Sequence, residues 1–136
     1  DSNWSTPLWT EDKREFVTIL DKVMIDIKGF TEEEHKLITG VKNSTVIENF
    51  KYLAGMDKIY EVRTVIVPEI TDNEKMVDNI SRLVARQNKN IKYKIIKYRQ
   101  NGVREEILKA YTPNDIYMRK LKKIAEKNGL IDVVIV

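Results

Sequence analysis

Cysteine is absent from all 136 residues, which excludes a disulfide framework and excludes thiolate ligation of zinc or of an iron–sulfur cluster by this chain alone. Histidine occurs once, at His35, with no serine or cysteine nucleophile beside it, so no hydrolytic triad can be assembled; a capping or packing role is expected for it. No apolar stretch reaches the roughly 18 residues that span a bilayer. The N-terminus has no charged-then-apolar signal pattern. The chain is therefore expected to be soluble and cytoplasmic. Neither sign of charge dominates, because 24 basic residues stand against 21 acidic ones and are spread along the chain. That balance describes a solvated surface better than a nucleic-acid or membrane partner. Internal repeats and low-complexity segments are lacking too.

What is present suits one domain over residues 1–136, with 42% hydrophobic and 33% charged residues. Short β-like runs alternate with longer helical stretches. A helix over about Thr10 to Leu20 precedes the strand-like run Val23 to Lys28, which ends at Gly29. Thr31 with Glu34 has the spacing of a capping box, as have Thr45 with Glu48 and Thr71 with Glu74, and Gly40 and Gly55 are placed to close the first two helices. Tyr60 to Val67 reads as a strand stopped by Pro68, and Ile91 to Tyr98 as another. Between them runs an apolar helical stripe of Met76, Val77, Ile80, Leu83 and Val84. Thr112-Pro113 places proline at a first helical position, the helix runs to about Lys127, and Leu130 to Val136 makes the last strand. The stretch from Arg99 to about Glu106 is the least regular in the interior. Strands alternating with crossover helices imply a mostly parallel sheet covered by helices.

Charges stand where core strands are normally apolar. Asp26 and Lys28 share a strand face with Met24, while Val23, Ile25 and Ile27 point to the other. Both charges lie at the strand's C-terminal end, the edge where α/β folds bind ligands; an exposed salt bridge is the plainer alternative. Arg63 lies inside the strand Val62 to Val67, where an unpaired guanidinium costs several kcal/mol. It needs either a carboxylate such as Asp26 or the carboxylate or ribose of a metabolite. The basic cluster Lys92, Lys94, Lys97, Arg99 and Arg104, with Tyr93 and Tyr98 interleaved, has the composition of an RNA-binding surface, yet alternation sends Lys92 and Lys94 to the face opposite Lys97 and Arg99.

The ordered series Asp26-Ile27-Lys28, His35 and Gly40-Val41-Lys42-Asn43 resembles the D-L-K...H...G-V-x-N signature of pyruvate formate-lyase activating enzyme and its relatives, within the radical S-adenosylmethionine superfamily. Further text agrees: Glu48-Asn49-Phe50-Lys51-Tyr52-Leu53-Ala54, the arginine-bearing strand Val62-Arg63-Thr64-Val65-Ile66-Val67-Pro68, the turn Thr71-Asp72, and Asp1-Ser2-Asn3 in place of a D-T-N-G strand end, with Trp4 where the family has glycine. The resemblance implies an α/β fold, the C-terminal portion of a partial (β/α)6 TIM-like barrel with mostly parallel strands and covering helices. It also implies that Asp26, Lys28 and Arg63 surround S-adenosylmethionine, and that Asp1, Ser2 and Asp26 help hold a monovalent cation. Arg99 stands where the family carries the histidine of a Y-H pair and is carried over as a cofactor-binding residue, a permanent cation replacing a neutral imidazole.

The family's CxxxCxxC loop, which holds a four-iron four-sulfur cluster, has no counterpart here. The expectation is therefore a C-terminal fragment without the N-terminal cluster-binding part, inactive by itself. By the resemblance its parent is an oxidoreductase that cleaves S-adenosylmethionine reductively and generates a glycyl radical on a partner enzyme. A flavodoxin- or ferredoxin-type protein would donate the electron. An exposed sheet edge could pair with a second copy in a non-native dimer. Two other readings stay open: an aldolase-like half barrel using Lys28 as a Schiff-base lysine, and a non-catalytic binding module.

Overall fold

Apolar residues at every second position build four short parallel strands, and amphipathic helices cover one side of them. The computed structural model describes residues 6–39, 43–99 and 112–136. The order is α1 (Glu11–Ile19), β1 (Val23–Asp26), α2 (Glu32–Thr39), α3 (Ser44–Gly55), β2 (Ile59–Ile66), α4 (Asn73–Gln87), β3 (Lys92–Lys97), α5 (Asp115–Lys127) and β4 (Val133–Ile135). The sheet runs β1-β2-β3-β4, every neighbouring pair parallel. Parallel neighbours need crossovers, and α3, α4 and α5 supply elements of them, packing on β2, β3 and β4. This is the α/β architecture expected from the sequence.

The core lies between sheet and helices. Val23 and Ile25 from β1, Val62 and Ile66 from β2, Tyr93 and Ile95 from β3 and Val133 from β4 meet Phe50, Leu53, Met76, Ile80, Met118 and Leu121, all buried. On the α4 stripe Met76, Val77, Ile80 and Val84 are fully buried and Leu83 packs against them. Fully burying an aliphatic side chain stabilises the fold by about 1.5–3 kcal/mol. Two polar groups sit in this layer with their needs met: the Tyr93 hydroxyl donates to Thr64 Oγ1 at 3.1 Å. Burial pushes the Tyr93 phenol well above its ordinary pKa, the Thr64 hydrogen bond only partly opposing it.

One irregularity governs the opposite face. Val23 pairs with Ile59, but Met24 pairs with Glu61, so β2 carries one extra residue, Tyr60, against β1. Such a bulge reverses the facing of everything beyond it on the bulged strand. Ile59 lies in the helix-side core, whereas Glu61 and Arg63 share the other face with Met24 and Asp26.

Local signals were met unevenly. The first capping box forms as expected: Thr31 Oγ1 accepts from Glu34 N at 3.1 Å, and Glu34 Oε2 accepts from Thr31 N at 3.2 Å and Phe30 N at 3.1 Å. The second does not, because α3 begins at Ser44 behind Asn43, whose side chain is engaged elsewhere. The third shifts by one residue, Asp72 capping α4 by accepting from Lys75 N. Asn114, not Thr112-Pro113, caps α5 through Tyr117 N. Gly55 is the last residue of α3, and the left-handed position falls on Asp57 (φ 54°) instead; Gly129 does take one, at φ 103°. Gly40 and residues 100–106 lie outside the described residues.

Candidate functional site: a charged row across the open sheet face

Register brings together what the sequence had only in separate strands. Asp26 pairs with Arg63, and Arg63 pairs with Lys94, so three charged residues form one row across β1, β2 and β3. Lys28 follows Asp26 by two positions on the same face, just past the end of β1, and both are half-buried. Asp26 and Lys28 stand at the C-terminal end of β1 and Arg63 just past the middle of β2, towards the edge where ligands bind in barrel and open α/β folds, while Lys94 lies in the first half of β3.

Arg63 does find a carboxylate, but not the one expected. Glu61, two residues back on the same face, accepts from Arg63 Nε at 2.5 Å, and its other oxygen accepts from Lys94 Nζ at 3.1 Å. Asp26 acts on Arg63 through charge alone, among the described residues. Glu61 is 2% exposed, while the side chains of Arg63 and Lys94 keep 24% and 27% exposure. Burial pushes the Glu61 carboxyl up, but hydrogen bonds and charge from Arg63 and Lys94 together outweigh it and hold the group below the usual glutamate range. The Glu61 hydrogen bond raises Arg63 in turn. Arg63 Nη2 also reaches Met24 Sδ at 2.9 Å. Asp26 and Glu61 face Lys28, Arg63 and Lys94, so the site keeps an excess of one positive charge, with Lys28 in no ion pair among the described residues. It can take a ligand that carries both a carboxylate and a cationic group.

The turn that carries Lys28 is built with little slack. A Cβ on Gly29 would stand 2.4 Å from His35 N and 2.8 Å from the Glu34 carbonyl carbon, so only glycine lets α2 approach this closely. The buried Asn43 side chain donates to the Gly29 carbonyl at 3.1 Å and to the Phe30 carbonyl at 2.5 Å. His35 is buried, its Nδ1 lying 3.0 Å from Thr39 Oγ1, which matches the packing role expected of it. His35 and Asn43 thus support the turn behind Lys28.

The other expected site residues separate from this row. Arg99 lies beyond the end of β3, exposed, beside a depression of 470 Å³ lined also by Val65, Ile96, Lys97, Tyr98 and Val136. Asp1 and Ser2 lie outside the described residues, as do Asn3, Trp4, Gly40, Val41, Lys42 and Arg104. The basic cluster is split and partnered internally: Lys92 with the Tyr60 hydroxyl at 3.2 Å, Lys94 with Glu61, Lys97 with Asp115. Glu61 and Asn43 belong to this candidate site, and sequence reasoning had assigned neither a place in it; Asn43 stood only within the text Gly40-Val41-Lys42-Asn43. The signal for Glu61 was its i, i+2 spacing to Arg63.

No family model matches the sequence. Among curated proteins it is 28% identical over 98 residues to the pyruvate formate-lyase-activating enzyme of Streptococcus mutans, covering 72% of this chain and 37% of that protein. It is 32% identical over 94 residues to the isethionate sulfite-lyase activating enzyme of Desulfovibrio desulfuricans, covering 68% of this chain and 30% of that one. The homologues of this chain are glycyl radical enzyme activases. They belong to the radical S-adenosylmethionine family, and the chain spans about a third of the length of these activases, 37% and 30% in the two cases. The fold is shared as well. A domain of pyruvate-formate lyase-activating enzyme from Bacteroides vulgatus superposes with a TM-score of 0.76 at 17% identity, covering 97% of this chain and 78% of that domain. Among the described residues, no helix is long and apolar enough to cross a membrane.

Proposed function

We propose that this chain forms part of the S-adenosylmethionine bed of a glycyl radical enzyme activase. The observation that carries the reading is the row Asp26, Arg63 and Lys94, with Lys28 beyond it, on the open face of a parallel sheet. S-adenosylmethionine is a zwitterion with an added sulfonium charge. Arg63 and Lys28 suit its carboxylate, and Asp26 suits its ammonium group or ribose hydroxyls. When bound, it supplies the reductive cleavage chemistry that ends in hydrogen abstraction from a glycine of a partner enzyme.

The iron–sulfur cluster is a different matter. No cysteine occurs in the 136 residues, so its thiolate ligands are not in this chain. In this reading the chain by itself is inactive. The whole activase would take a glycyl radical enzyme as its protein substrate and a flavodoxin- or ferredoxin-type electron donor, in the cytoplasm. Asp26, with Asp1 and Ser2, would contribute to a monovalent cation site, and Arg99 would contact the cofactor from the end of β3.

Titration calorimetry of the chain with S-adenosylmethionine tests the reading. Saturable binding is expected, weakened at least about tenfold by Lys28→Met or Arg63→Met, as truncating one partner of a partly buried charge pair does. A chain that stays folded and takes up no S-adenosylmethionine refutes it.

A further inference from the structure

We propose that Glu61 is a positioning residue of the S-adenosylmethionine site, a buried carboxylate that fixes the direction of the Arg63 guanidinium and keeps it from pairing with Asp26. The proposal rests on the reading just given. Asp26 and Arg63 are register partners on adjacent strands, and opposite charges so placed ordinarily pair with each other. Had they done so, the site's carboxylate and its arginine would both be spent before a zwitterionic ligand arrived. Here they do not: Arg63 Nε is held by Glu61 at 2.5 Å and Nη2 by Met24 Sδ at 2.9 Å.

A guanidinium carries five N–H donors in a rigid fork. Two are committed toward Glu61 and Met24, which leaves Nη1 and the second Nη2 hydrogen for a ligand. Lys94 occupies the second Glu61 oxygen at 3.1 Å, so the carboxylate is pinned from both sides and does not rotate with Arg63. Glu61 is itself 2% exposed and lies one step further from the C-terminal edge than Arg63, so it acts through Arg63 rather than on the ligand. The arrangement is that of an outer carboxylate that orients an inner cation, a division of labour common around binding sites.

The test uses the 136-residue chain with 15N-labelled arginine. In the wild type, the Arg63 Nε–H signal is expected to be rigid on the heteronuclear NOE and slow to exchange. Glu61→Leu removes the acceptor and is expected to abolish both signatures and to weaken S-adenosylmethionine binding by about tenfold, within the range for losing one partner of a hydrogen-bonded charge pair. In an Arg63→Met background the same substitution is expected to change affinity by less than about twofold, because the residue it acts through is gone. Should Glu61→Leu fold poorly with Lys94 left unpaired, Glu61→Leu with Lys94→Met removes that charge and is expected to give the same loss of Arg63 order. An unchanged Nε–H signal, or an affinity loss that persists without Arg63, overturns the proposal. A wild-type chain that shows the rigid Arg63 signal yet binds no S-adenosylmethionine sinks the ligand reading instead, and the orientation of Arg63 by Glu61 is then judged on the NMR comparison.

Discussion

Replacing Gly29 by alanine probes the turn that carries Lys28 with one methyl group. The added Cβ would lie 2.4 Å from His35 N, 2.8 Å from the Glu34 carbonyl carbon and 2.9 Å from Glu34 Cβ. Ordinary contacts of this kind sit at about 3.5–4.0 Å, so α2 must retreat by roughly 1 Å. It is poorly free to do so. The capping box fixes its first turn, His35 N is bonded to the Thr31 carbonyl at 3.1 Å, and the His35 ring is buried. Overpacking of this sort costs about 1–3 kcal/mol. The retreat also breaks the Asn43 hydrogen bonds to Gly29 and Phe30, at about 1 kcal/mol each. The sum is about 3–5 kcal/mol, which at a urea m-value of about 2 kcal/mol/M lowers the midpoint by about 1.5–2.5 M. Urea unfolding followed by far-UV circular dichroism measures it. Gly55→Ala is the control, since nothing stands within 4 Å of its Cβ and it lies in α3; it should stabilise by about 0.5–1 kcal/mol. A Gly29→Ala midpoint within about 0.3 M of the wild type would refute the close-approach argument.

Three further outcomes are expected. The Glu61 carboxyl is held below its ordinary value of 4.5, so its stabilising contribution is fully present above that pH and is lost as pH falls through the lowered folded value. The stability gap between wild type and Glu61→Gln should therefore be flat from pH 7 to about 4.5 and shrink below it, as read from denaturant unfolding at each pH. Tyr93→Phe removes the donor to the buried Thr64 hydroxyl and should cost about 1–2 kcal/mol in the same assay, largely relieved by Thr64→Val in the double variant. Asn43→Ala leaves the buried Gly29 carbonyl and the partly buried Phe30 carbonyl without their amide donor and should cost about 2–3 kcal/mol, while also weakening S-adenosylmethionine binding through Lys28.

Much of this architecture was legible because it rests on periodicity. Strands at Val23, Ile59, Lys92 and Val133 and the stripe of α4 follow from apolar alternation and helical spacing, which survive any tertiary detail. Helix starts were less legible, because several side chains compete to cap one end: Asp72 and Asn114 won over Thr71 and Thr112 by standing one or two residues nearer the first turn. At the site, the strand faces of Asp26, Lys28 and Arg63 could be read directly. The partner of Arg63 could not, since Asp26 and Glu61 are both chemically adequate and only register and rotamer decide between them. The role of Gly29 was equally hidden. Sequence shows a glycine at a strand end, and only the packed helix shows why no other residue fits.

The single extra residue at Tyr60 has a wider consequence for how this sheet could evolve. Were Tyr60 drawn into regular pairing opposite Met24, Asp26 would stand beside Val62 and Arg63 would be turned into the hydrocarbon layer, whereas deleting it would straighten β2 and leave Asp26 opposite Arg63. The charged row therefore hangs on a counting offset and not on the identity of Tyr60, whose ring is half exposed. Substitution there should be tolerated freely, whereas straightening β2 with Tyr60 kept in the ladder would exchange interior for exterior from Glu61 onward.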